Sequence, residues 1–194
     1  MVVITDKPEC PSVLDRRRIE LADPKIPGSK QPYHFAENMP LANAEKFIER
    51  CRESTFELAE TAFATALRDL KDRGVVATGC GLVTGSGRKF TDLGTILASH
   101  ALIHTAEGDF YRDAITHAAE RHGLFIAAVP EKEAHQLAAA VLGMSADQFL
   151  ATIGALGKLV GSPWTQDEKL ATAVALVSAR QKGRDVKFAR RAAS

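Results

Sequence analysis

"ASHALIHTAEGDFYRDAI", residues 98–115, decides the fold, because it can be laid down as helix or as strand. On a helix, His100, His104 and Glu107 fall at i, i+4 and i+7 on one face, the arrangement of a metal site. On a strand, His100, Leu102, His104 and Ala106 share one face, while Ile103, Thr105 and Glu107 share the other. Glu107 then becomes a carboxylate at a strand tip, with Gly108 beginning the turn. A single helix over 92–122 would enclose Gly94 and Gly108 and run far beyond the usual length of about 11 to 12 residues. The economical division is helix to Ser99, strand through "HALIHTA", and a new helix capped by Asp109 that stops at "RHG". On this division the two histidines are satisfied, partly buried side chains. The H-E-x-x-H pattern of zinc proteases is absent, since residues 101–103 are Ala, Leu and Ile.

Outward from that stretch the chain alternates. Phe47, Cys51, Phe56, Ala59, Phe63, Ala66 and Leu70 recur at helical steps from Asn43 to Gly74. "VVATGCGLVTGSG", 75–87, reads as a strand entering a glycine loop, and "LFIAAVP" as a buried strand stopped by Pro130. "EKEAHQLAAAVLG" is helical. Ser145-x-x-Gln148 and Thr165-x-x-Glu168 each open a further helix in the capping-box pattern. Residues 1–42 hold six of the eight prolines, which predicts an extended arm lying on the body or on a partner subunit. Strands separated by helices predict an α/β fold. The expected architecture is a layered sheet of at least three parallel strands, helices on both faces and an extended N-terminal arm. The expected divisions are the arm at 1–42, one α/β domain at 43–180, and a basic, disordered tail at 181–194.

Composition is that of an ordinary globular protein, 45% apolar and 25% charged. A net charge of +1 excludes a globally basic nucleic-acid binder. Cys10, Cys51 and Cys80 have neither metal-ligand nor redox spacing, which predicts reduced thiols and a cytoplasmic protein. No window approaches the roughly 18 apolar residues of a membrane span.

In a parallel sheet, ligands collect beyond the carboxyl ends of the strands. Glu107, with Asp167 and Glu168 in the first turn of the last helix, could there hold Mg²⁺ or Mn²⁺ and clamp a phosphodiester. Acidic residues in a first turn are also favoured by the helix dipole alone. Gly85, Ser86, Gly87, Arg88 and Lys89 could cradle an anion, or form a plain strand–helix turn. The basic tail could meet nucleic acid electrostatically, or be a solvated terminus.

The run "ILASHALIHTAEGDFYRDAI", with "GLFIAAVPEKE" and "LGKLVGSPWTQDEKLATAVAL", resembles a bacterial family of uncharacterised proteins over roughly residues 45–180. That resemblance implies no activity. More loosely, "HTAEGDFYRDAITHAAERHGLFIAAVPEKE" followed by "QDEKLATAVALVSA" resembles in layout the C-terminal half of RuvC-type resolvases of the ribonuclease H-like superfamily. It implies Glu107 as the strand-end carboxylate and Asp167 or Glu168 as the late acidic position. "VVATGCGLVTG", where that family carries its first-strand Asp, has no acid, which implies a degenerate catalyst. Two functions are expected from these readings: a divalent-metal phosphodiesterase or nuclease-like protein with Glu107, Asp167 and Glu168 as ligands, or a non-enzymatic, anion-binding scaffold that dimerises through its arm.

Overall fold

The computed structural model describes residues 1–5, 7, 11–85 and 92–192, with side chains described up to residue 181. In chain order the elements are β1 (Val2–Ile4), β2 (Val13–Arg16), α1 (Pro32–Ala36), α2 (Leu41–Asp72), β3 (Gly79–Thr84) and α3 (Leu93–Leu97). They continue with α4 (His100–Arg121), β4 (Phe125–Pro130), α5 (Glu131–Leu142), α6 (Ala146–Val160) and α7 (Gln166–Ala192). The α/β expectation is overturned. The chain is 63% helical, and its two sheets have two strands each, β1–β2 antiparallel and β3–β4 parallel. Among the described residues no sheet has three parallel strands.

The error lies in "HALIHTA", which is helix and not strand. Ile103, Glu107, Phe110, Ala114 and Ala118 are buried along α4 at steps of three and four, the period of a helix face. A carboxylate in the middle of that stripe disguises the period in the sequence. The break falls earlier, at Ala98 and Ser99, between α3 and α4. Asp92 caps α3 by accepting from Thr95 N at 2.7 Å.

Gly108 does not interrupt α4. Glycine costs a helix interior about 1 kcal/mol relative to alanine. Burying a side chain such as Phe110 or Ile103 returns about 1.5–3 kcal/mol each. The atoms nearest a Cβ at Gly108 belong to the Arg112 guanidinium, 2.7 Å away at the end of a flexible side chain. Gly108→Ala is therefore expected to stabilise the chain by about 0.5–1 kcal/mol in urea unfolding. A turn requiring positive φ at this position would make the same change destabilising.

The chain forms two compact units. Unit 1 comprises Met1–Arg18, Ala77–Val83 and Leu124–Ser194. Its core gathers Val129 of β4, Ala134 and Ala138 of α5, Phe149 and Ile153 of α6, and Val174 and Val177 of α7. The glycines of "GCG" have a packing role here. A Cβ on Gly81 would lie 2.1 Å from Val174 O, so α7 approaches β3 backbone to backbone. A Cβ on Gly79 would meet Ser178 Oγ at 2.7 Å. Ser145 and Gln148 form the expected capping box on α6, with Ser145 N donating to Gln148 Oε1 at 2.9 Å and Gln148 N to Ser145 Oγ at 3.3 Å.

Unit 2 comprises Ile19–Val76 and Thr84–Gly123. Helix α2 confirms the helical reading of 43–74, starting at Leu41. It ends as expected at Gly74 (φ +73°), with Val75 N bonded back to Leu70 O at 2.9 Å. Ile48 and Cys51 of α2 pack with Ile103 and Phe110 of α4. The segment expected to be an extended arm is divided between the units. Its first part is the β1–β2 hairpin, in which Val2 pairs with Arg16 and Val3 with Asp15. From Ile19 onward it folds into unit 2, where α1 sets Tyr33 edge-on to Phe110 at 6.2 Å. Among the described residues no single helix is long and apolar enough to cross a membrane.

Candidate metal centre

Glu107 is buried, 9% exposed, on the inner face of α4. A carboxylate taken from water must be hydrogen-bonded, and its partners come from α1. Oε1 accepts from Tyr33 N at 3.0 Å and from His34 N at 3.1 Å. The His34 ring lies 3.2 Å from the same oxygen through Nδ1. With Nδ1 donating to this carboxylate oxygen, the Nε2 lone pair of a neutral His34 would be left for another ligand. Pro32, at the start of α1, presets φ for this single helical turn and needs no N–H partner there.

His100 and His104 stand one turn apart at the start of α4, both exposed, with their Nε2 atoms 3.0 Å apart. The His34 ring packs edge-on to both, at centroid distances of 5.2 Å to His100 and 4.7 Å to His104. One ring nitrogen from each of the three lies within 4.8 Å of the other two. A tetrahedral ion with Zn–N bonds of about 2.0–2.1 Å spaces its nitrogens ~3.3–3.4 Å apart, so small side-chain rotations close this set on an ion. The contact of His34 with Glu107 is of the kind that orients a metal-ligating histidine and raises its basicity.

The loop before α1 is tied down beside the cluster. Tyr111 OH donates to Ser29 O at 2.8 Å and to Lys30 O at 3.1 Å. A Cβ on Gly28 would overlap the Phe35 ring, at 2.2 Å from its Cγ. Gly28, Lys30, Gln31, His34 and Phe35 line a shallow depression of about 320 Å³. Burial, then the Glu107 carboxylate, push the Tyr111 phenol up from 10.0 to about 12. The folded state thus favours the protonated phenol. Its contribution is complete below the ordinary value and is lost as pH rises from 10 towards 12. Wild-type protein is expected to lose stability across that window in alkaline urea titrations, and Tyr111→Phe to show a flatter dependence.

The residues expected to form a site are distributed as follows. Glu107 sits in the middle of α4 and not at a strand tip. Asp167 and Glu168 belong to unit 1, in the first turn of α7. Glu168 Oε2 accepts from Thr165 N at 2.6 Å and from the Thr165 hydroxyl, the backward-reaching half of a capping box. That hydrogen bonding holds the Glu168 carboxyl below its usual value. Gly85 faces the Arg112 guanidinium, 3.1 Å from where a Cβ would stand. Ser86, Gly87, Arg88 and Lys89 lie outside the described residues. His34 was invisible to motif reading, being 66 positions from His100 and inside the proline-rich segment. The only local signal was the helical i, i+4 spacing of His100 and His104, which needed a third donor from elsewhere.

The chain matches no family model, no curated protein and no solved structure.

Proposed function

We propose that this chain is a metal-binding protein that takes a divalent transition ion of the Zn²⁺ class through His34, His100 and His104. The observation that carries this is the convergence of three imidazoles from two elements, each with a ring nitrogen within 4.8 Å of the others. Three neutral nitrogen donors select zinc, nickel, copper or cobalt, whereas Mg²⁺ and Mn²⁺ prefer carboxylate, carbonyl and water oxygens. The ion is therefore a different one from the Mg²⁺ or Mn²⁺ expected of Glu107, Asp167 and Glu168. Glu107 acts outside the coordination sphere, since its Oε1 is already engaged by Tyr33 and His34.

Binding also clips α1 to α4, so it should stabilise unit 2. At an ion concentration 100 times Kd the gain is about 2.7 kcal/mol. Equilibrium dialysis of the full chain should find one Zn²⁺ per chain, with a rise in Tm that EDTA reverses and that Mg²⁺ does not reproduce. An unchanged Tm with no uptake at 100-µM-order Zn²⁺ would overturn the reading.

A further inference from the structure

We propose that the ion at this site keeps one coordination position for an exchangeable small oxyanion, which Lys30 helps to hold. The inference rests on the metal reading above and extends it to a ligand class. Among the described residues, the only groups with a donor atom close enough to all the others are the three histidines. With these three ligands alone, a four-coordinate ion takes its fourth ligand from solution, which is the pattern of open zinc sites as against closed structural ones. Neutral imidazoles leave the ion its full double positive charge within its coordination sphere, and the Glu107 carboxylate balances part of it from the far side of His34. An anion that reaches the ion thus competes with water for the fourth position.

The surroundings favour an oxyanion on the side of the depression. His34 belongs both to the cluster and to the depression's wall. Lys30 and Gln31 are among the residues of that wall as well, and an ammonium and an amide are groups that donate hydrogen bonds to phosphate or carboxylate oxygens. The Lys30 backbone is pinned by Tyr111, so the base of its side chain stays at the rim. His100 and His104 are exposed, which leaves the ion accessible to a solute.

The test uses the full chain loaded with one equivalent of Co²⁺, whose visible absorption reports coordination number and ligand exchange. Inorganic phosphate is titrated in, with acetate in a second series. The expected result is a saturable spectral change in the wild type. Its midpoint should rise by up to about fivefold in Lys30→Met, the contribution of one exposed charge, with Co²⁺ affinity unchanged. A Co²⁺ spectrum that neither anion alters would overturn the open position while leaving the metal site intact. An equal midpoint in Lys30→Met would overturn the role of Lys30. A chain that takes up no Co²⁺ would overturn the metal reading itself.

Discussion

His34→Ala is expected to weaken Zn²⁺ binding by more than the ~10–100-fold that loss of an outer hydrogen-bonding partner costs a metal site. Among the described residues His34 supplies the only donor of this cluster from outside α4, so its loss leaves two exposed histidines on one helix. Two imidazoles at i, i+4 still bind zinc, but weakly and with two solvent ligands. Glu107→Gln separates the two roles. An amide at that position can still accept from Tyr33 N and His34 N, so α1 stays docked. It no longer carries the charge that polarises the His34 ring, and affinity should fall by about 10–100-fold, less than for His34→Ala. Calorimetric titration of the three proteins checks the order. Equal affinities in wild type and His34→Ala would remove His34 from the site. Far-ultraviolet dichroism on the same samples shows whether the fold survives.

Gly81→Ala is expected to be the most damaging single methyl addition in unit 1. The new Cβ would lie 2.1 Å from Val174 O and 2.3 Å from Val174 C, both backbone atoms of a long helix. No side-chain rotation relieves that overlap, so β3 or α7 must move, and the core residues Val174 and Val177 move with it. Overpacking of a tight core costs about 1–3 kcal/mol, and more where backbone opposes it. A fall in Tm of about 6–12 °C follows for a cost near 3 kcal/mol in a chain of this size. Gly154→Ala is the control: it adds the same methyl inside α6 with nothing within 4 Å of the Cβ, and should be neutral or slightly stabilising. If the two variants melt together, the close approach of β3 and α7 is not limiting for stability.

Local signals were readable where one element's chemistry suffices. Ser145 with Gln148 announced the start of α6, Gly74 announced the end of α2, and "LFIAAVP" announced β4, because capping, left-handed glycine and an apolar run act within a few residues. Gly108 misled for the same reason. Its local cost argues against helix, and only Ile103, Glu107 and Phe110 finding partners on α1 and α2 reverses the balance. Gly79 and Gly81 read in the sequence only as part of a strand entering a glycine loop, whereas their lack of a side chain serves the passage of α7, whose Val174 lies more than ninety residues later in the chain.

The sequence by itself determined where most helices begin and end, and that His100, His104 and Glu107 would share a face if helical. The tertiary structure alone decided that they are helical and what their partners are. Helix α1 brings His34 to the pair and its own backbone N–H groups to the Glu107 carboxylate. A buried carboxylate and a lone imidazole carry no record of their partners in the adjacent residues. The energy that places them comes from packing between segments distant in the chain.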